Sequence, residues 1–267
     1  MAFFNYDKPG KGVEKDAPRA KGVFLYFDLL WRKLGRLVLS NLLYFVTSLP
    51  VLFVYYMVAF ALFGVFLPEG TEAIAHNQAA IIAAITMATL WGTGPVSCGL
   101  GYILRSIARE EHAFVTSDFF EQSKKGFWHG LVYLGVDVIV LSISIIAINF
   151  YWNVAASGSV MGIAMLTSFV AIIAIYTAMH FYIYQVEITF CGKLLDTYKN
   201  SLLLAIATLP MCIFLGIIVV VVSVGFLGNL SPVGIVLCAV IIWMSALRLV
   251  PEFYTSRLIK RKFIERG

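Results

Sequence analysis

Charge is what this sequence has least of. Asp, Glu, Lys and Arg make up 13% of its residues, about half their share in an ordinary soluble domain. The deficit is concentrated in long uncharged runs, and a soluble helical fold with such wide apolar faces would have too little polar surface to cover itself. Cysteine is scarce too. Cys98, Cys191, Cys212 and Cys238 are scattered through or beside the apolar runs without metal-ligand spacing, so each is expected to be reduced and to serve packing.

Enzymatic signatures are missing as well. The sequence has no Gly-rich phosphate loop with its Lys, no HExxH pair and no nucleophile elbow. No catalytic residue, cofactor or metal is therefore expected, and an ATPase motor is excluded from this chain. The net charge of +5 is spread along the sequence, whereas nucleic-acid binding needs a concentrated basic surface with aromatic readout. The alternating pattern of a membrane β-barrel is also lacking.

What the sequence does have is apolar length. Sixty per cent of its 267 residues are apolar. The runs at 37–67, 77–104, 127–152, 159–186, 200–227 and 232–250 are each long enough to cross a hydrocarbon core of about 30 Å as a helix. In lipid the backbone must be satisfied within its own segment, which makes helices the default. The expected fold is an all-α polytopic membrane protein with six transmembrane helices.

The few charges decide its orientation. Eight Lys/Arg lie in residues 1–36, four in 105–126, two in 187–200 and six in 248–267, which accounts for all twenty. The alternate loops near 68–76, 153–159 and 228–231 hold none. By the positive-inside rule the basic segments face the cytoplasm, with both termini inside. The chain then divides into a cytoplasmic arm and amphipathic helix (1–36), a six-helix transmembrane domain (37–250) with cytoplasmic segments at 105–126 and 187–200, and a basic tail (251–267). The basic, polar stretch of 36 residues before the first apolar run argues against a cleavable signal peptide.

Two cytoplasmic stretches read as amphipathic helices. From about Lys21, the residues Phe24, Phe27, Leu30, Trp31 and Leu34 recur at three- and four-residue spacing. This helix is expected either to lie in the inner interface or to pack on cytoplasmic parts of the same chain. In 105–126, Thr116, Ser117 and Asp118 offer N-cap chemistry, and Phe119, Phe120 and Phe127 follow at helical spacing. Phe24, Phe27, Trp31, Asp118, Phe119, Phe120 and Phe127 are the candidate partner-docking residues.

Within the spans, chemistry is confined to a few positions. Asp137 is the one acid well inside a run, and it must be protonated, paired or facing water. His129 lies eight residues away, about 12 Å along one helix, so His180 is the better partner, with Gln185 and Glu187 nearer the cytoplasmic end. Asp137, His180 and Gln185 form the candidate intramembrane polar site. Pro50, Pro95 and Pro210 each remove a backbone donor at comparable depth. The run Trp91-Gly92-Thr93-Gly94-Pro95 is able to unwind a turn, which makes Pro50, Gly92, Gly94, Pro95 and Pro210 the candidate helix breaks.

Several stretches carry a family resemblance: Asn5-Tyr6-Asp7-Lys8-Pro9-Gly10, Lys15-Asp16-Ala17-Pro18, Phe27-Asp28-Leu29-Leu30-Trp31-Arg32-Lys33-Leu34, Asn41-Leu42-Leu43-Tyr44, and Ser48-Leu49-Pro50. Asp118-Phe119-Phe120 and Lys124-Lys125-Gly126-Phe127 fit the same pattern. Together they resemble the YesL-like family of bacterial integral membrane proteins. Its members tend to be encoded beside sugar-import ABC systems and glycan-degrading enzymes, so the resemblance implies a bacterial cell-membrane protein linked to carbohydrate uptake. It supplies no catalytic residues.

The leading expectation is a non-enzymatic accessory subunit of a carbohydrate ABC importer. It would lie in the lipid bilayer, contact permease subunits through helices rich in small residues such as Gly92, Gly94, Gly99 and Gly101, and meet the solute-binding protein and ATPase indirectly. One alternative is a self-sufficient transporter or channel whose path passes Pro50, Pro95, Asp137, His180 and Pro210. Another is a membrane scaffold or signalling component in sugar sensing.

Overall fold

Proline and glycine punctuate the apolar runs, and a computed structural model of the chain, described over residues 23–66 and 73–259, shows where each helix yields to them. The elements are α1 (Val23–Arg32), α2 (Leu34–Phe66), α3 (Ala73–Leu90), α4 (Pro95–Ala108), α5 (Val115–Lys125), α6 (Phe127–Ala156), α7 (Val160–Phe190), α8 (Leu194–Ala207), α9 (Leu209–Val222), α10 (Pro232–Cys238) and α11 (Met244–Ile259). A π-helical turn, Ser223–Leu227, extends α9, and another, Ala239–Trp243, joins α10 to α11. No strand occurs among the described residues. Six helical stretches are long and apolar enough to cross a membrane. The chain is a multi-pass membrane protein of the all-α class.

Four boundaries differ from the sequence expectation. The second run is two helices, because Gly92 (φ 88°) and Gly94 (φ 72°) take left-handed backbone and Pro95 starts α4. The fifth run divides at Thr208, where Pro210 opens α9. The last helix continues through Ile259, beyond the expected end at 250, and carries Pro251 inside it. Segment 105–126 holds α5, which begins at Val115. Its N-cap is Phe114 and not a residue of Thr116-Ser117-Asp118, and Asp118 Oδ2 reaches back to accept from the Phe114 N–H at 2.9 Å. The arm motifs before residue 23 and the basic tail after 259 lie outside the described residues.

The outside of the helical stretches is apolar. Phe53, Ile139, Ile143, Ile146, Phe214, Ile217, Val221 and Leu237 are all exposed, an apolar area that only lipid or another chain can cover. The basic segments converge at one end. Arg32 pairs with Glu110, Arg109 Nη2 donates to Ser256 O at 3.0 Å, and Arg257 Nη2 donates to Ala108 O at 3.4 Å. Burial lowers the pKa of Arg105 and Arg109 below the ordinary guanidinium value. Arg105 answers that cost by donating to Ile188 O and Thr189 Oγ1.

Two contacts set the helix arrangement. Where α4 meets α5 and α6, glycines remove the side chains that would hold the backbones apart. A Cβ on Gly130 would lie 2.5 Å from the Pro95 backbone, and one on Gly99 would overlap Phe119 O. Where α2 meets the π-turn at 239–243, Asn41 replaces the missing helical pairing. Its Nδ2 donates to Ala239 O (2.7 Å) and Val240 O (2.8 Å), and its Oδ1 accepts from Ser245 N (2.8 Å). A π-turn alters the register of backbone bonds, and in an apolar surround the groups so released must find partners.

Gly130→Ala should lower thermal stability sharply, because the backbone of Pro95 cannot move away as a side-chain tip would. Gly135→Ala, five residues on and open on all sides, should be neutral or stabilising by about 0.5–1 kcal/mol. Melting curves of the two variants in the same detergent check this. Equal losses would mean that the α4–α6 contact is not tight. Asn41→Leu should cost about 1–3 kcal/mol in the same assay, since it strands three backbone groups.

Candidate functional site

Helix α7 carries the site. Tyr176, His180, Tyr184 and Glu187 follow at intervals of four, four and three, which places them along one face. Facing them, α6 presents His129, Tyr133 and Asp137 at intervals of four. The two helices are joined by a short turn, in which Ser159 caps α7 and Gly162 packs on the backbone of Val154 and Ala155. The two rows therefore interlock in antiparallel order.

Asp137 and His180, both fully buried, meet as the sequence suggested: His180 Nε2 lies 2.8 Å from Asp137 Oδ1. The approach is close but bent, so Nε2 has no aligned hydrogen bond. Tyr176 OH donates to Asp137 Oδ1 at 2.6 Å, while His180 Nδ1 faces Tyr176 O at 3.1 Å. Trp91, the first residue of the broken segment 91–94, covers the imidazole in a near-parallel stack, centroids 5.6 Å apart, and donates its Nε1–H to Thr177 Oγ1 at 3.0 Å.

About two turns toward the basic end, Glu187 organises a second centre. His129 Nδ1 lies 2.7 Å from Glu187 Oε1, Tyr133 OH donates to Oε2 at 2.7 Å, and Thr197 Oγ1 donates to Oε2 at 3.2 Å. Thus His129, too far from Asp137 to pair with it, has a carboxylate of its own.

Gln185 does not join Asp137. Its position on α7 turns it toward α4 and α11, where it donates to Gly101 O at 3.2 Å and to Glu252 Oε2. Glu252 in turn faces Arg248, with Nε and Oε1 3.7 Å apart, both side chains almost fully buried. Arg248 also reaches Ala88 O (3.4 Å) and lies over the Tyr184 ring (5.0 Å). The candidate polar site is therefore two centres separated by α7.

The broken segment 91–94 is buried between these centres, and the chain itself meets its backbone groups. Tyr55 OH donates to Gly92 O (2.9 Å), Thr93 N to Ser97 Oγ (2.7 Å) and Gly94 N to Tyr184 OH (3.3 Å). A Cβ at Gly92 would collide with Ser97, Tyr184 and Arg248. Pro95 and both glycines belong to this centre. Pro50 and Pro210 do not: both are exposed on the apolar surface. The five breaks therefore do not line one path.

The small-residue stripe is occupied internally. Gly92 and Gly94 lie in the buried break, Gly99 is against Phe119 and Ser123, and Gly101 is against Gln185 and Glu252. These glycines leave nothing for a partner helix. Phe119 is likewise buried, packed under α5, and is no docking residue, while Phe24, Phe27, Trp31, Phe120 and Phe127 are exposed.

The residues that sequence reasoning passed over are mostly tyrosines. Tyr133, Tyr176 and Tyr184 sit four residues from Asp137, His180 and His180 respectively, and that spacing was the available signal. Arg248 and Glu252 also share an i, i+4 spacing, but they straddle the expected end of the last span at residue 250, which put them in different segments.

Removing one member of the buried ion pair should strand the other. Arg248→Met is expected to cost about 3–5 kcal/mol, and adding Glu252→Gln should recover most of that loss. A double-mutant cycle on detergent-solubilised protein measures it; no recovery in the double variant would place Arg248's role in its contacts to Ala88 and Tyr184 instead.

No family model, curated protein or solved structure matches this chain.

Proposed function

We propose that this protein is a non-enzymatic accessory subunit of a carbohydrate ABC importer in the bacterial cell membrane, with both termini in the cytoplasm. The resemblance of its sequence motifs to the YesL-like proteins supports the carbohydrate link. The location of all twenty Lys/Arg in the two terminal segments and the segments 105–126 and 187–200 supports the orientation.

The observation that carries the partner role is the aromatic row on α1. The helix is held from beneath by buried Leu29, by Tyr26 OH donating to Ala246 O at 2.8 Å, and by the Arg32–Glu110 ion pair. Phe24 and Trp31 are each about 80% exposed and Phe27 61%. Phe114, Phe120 and Trp128 are also exposed on α5 and its flanks. Aromatics fixed on a rigid support give contact area at small entropic cost, and such groups dominate protein interfaces. The permease pair meets the chain through this aromatic surface and not through the glycines of α4. The solute-binding protein and the ATPase join through the permeases.

Mild-detergent capture of the tagged chain from its native host should bring down the permeases, the solute-binding protein and the ATPase in fixed ratio. Trp31→Ala combined with Phe27→Ala should reduce that recovery about tenfold or more, without moving the melting temperature. Capture of this chain alone sinks the accessory-subunit reading. Unchanged recovery from the double variant instead makes the row a membrane-interface anchor.

A further inference from the structure

The Asp137–His180 contact implies a proton count. The partner of His180 Nδ1 is the Tyr176 carbonyl, 3.1 Å away, and a carbonyl only accepts, so this contact is a hydrogen bond in the tautomer that carries its hydrogen on Nδ1. In the neutral ring Nε2 would then present a lone pair. That lone pair would face Asp137 Oδ1 at 2.8 Å, an arrangement that is repulsive against a carboxylate. With Nδ1 bonded to the carbonyl, the Asp137 contact is attractive only if one more proton is present, on the ring or on the carboxyl group. Tyr176 does not supply it, because its hydroxyl hydrogen is already directed at Oδ1. Both ring contacts are favourable together only in the proton-loaded pair.

A route to the basic face is laid out beside it. His129 stands at that end with about a third of its side chain exposed and touches Glu187, which in turn accepts from Tyr133. Between Tyr133 and Asp137 the hydrogen bonds stop. Tyr198 of α8 stands at this gap. Its ring meets that of Tyr133 edge-on at 5.3 Å, its hydroxyl is within electrostatic reach of Asp137, and that hydroxyl is buried without a hydrogen-bond partner. The other Asp137 oxygen, Oδ2, is buried and unpartnered in the same way. Two buried oxygens without partners, on groups within electrostatic reach of each other, demand an explanation. Rotation of the Tyr198 hydroxyl to bond Tyr133 on one side and Asp137 on the other would complete the series from His129 to Asp137.

We propose that the facing rows on α6 and α7 form a proton path, entered at His129 and relayed by Glu187, Tyr133 and Tyr198, that loads the Asp137–His180 pair as a reversible proton-binding site inside the membrane domain. This is independent of the partner-subunit reading. Each step moves one proton: His129 gives it to Glu187, the two tyrosine hydroxyls each accept one and release their own, and the last arrives at Asp137 or His180. Other titratable groups face these two centres. Tyr55 from α2 and Tyr184 from α7 lie within electrostatic reach of Asp137, Arg248 from α11 lies over Tyr184, and Cys98 from α4 lies within reach of Glu187. No second carboxylate is among them, so the pair's proton count rests on its own two members.

The test uses the full chain in nanodiscs of phosphatidylethanolamine and phosphatidylglycerol. Infrared difference spectra across a pH step, with an indicator dye following proton uptake, should show a carboxyl or imidazole protonation change for the wild type. Asp137→Asn, which keeps size and the Tyr176 contact, should abolish that change. His129→Gln and Tyr198→Phe should keep its amplitude and slow uptake by about tenfold or more. If Asp137→Asn does not fold, ¹⁵N-histidine spectra of the unsubstituted chain, with His180 assigned by His180→Gln, must show that ring titrating. Absence of any Asp137- or His180-dependent change would overturn the site. Wild-type uptake rates in both His129→Gln and Tyr198→Phe would overturn the path.

Discussion

Inside a bilayer every buried backbone group and every buried charge has to find its partner within the protein, since no water is at hand. The architecture is a series of answers to that demand. Helices satisfy most of the backbone. Where the helix fails, at the glycine break 91–94 and at the π-turn 239–243, side chains from other helices step in: Tyr55, Ser97 and Tyr184 at the first, Asn41 at the second. The charges obey the same rule, as Glu252 is held between Arg248 and Gln185, and Glu187 among His129, Tyr133 and Thr197. A defect in one helix thus becomes a reason for a second helix to be in a particular place. The polar groups specify the packing, because apolar contact with lipid or with protein differs little in energy.

How much of this was legible in the sequence follows from the range of each signal. Six apolar crossings were readable because hydropathy is a local property, and the run Trp91-Gly92-Thr93-Gly94-Pro95 declared its break for the same reason. The pairing of Asp137 with His180 was readable because a lone acid in an apolar run needs a partner and few were on offer. The fate of Gln185 was not. It sits five residues beyond His180, and only the rotation of the helix separates their faces, so that two residues read as one site serve two. The glycines of α4 show the same limit. Small residues announce close approach but not to what, and here the neighbours are α5, α6, α7 and α11 of the same chain.

Burial of the small-residue stripe and exposure of the aromatic row also divide the molecule's surfaces by role. Around the waist the outward side chains are aliphatic and phenyl groups that lipid tolerates anywhere. At the basic end they include Trp31 and Trp128, whose indoles favour a boundary between apolar and wet surroundings. Both a headgroup layer and the rim of another protein offer that boundary, and the rigid anchoring of α1 through Tyr26 and Arg32 suits either.

The π-turn between α10 and α11 has a consequence for which face is which. In an α-helix each residue advances the direction of the side chains by about 100°, and a π-turn absorbs roughly one extra residue. Before the turn, Val236 and Leu237 point outward; after it, Arg248 and Glu252 point inward. The extra residue works as a phase shifter, since the same helix drawn without it would swing its two charged groups toward the hydrocarbon. Asn41, by occupying the carbonyls that the turn releases, locks that phase. The direction of an arginine and a glutamate on the last helix is thereby set by an amide on the first of the six crossings, some two hundred residues earlier.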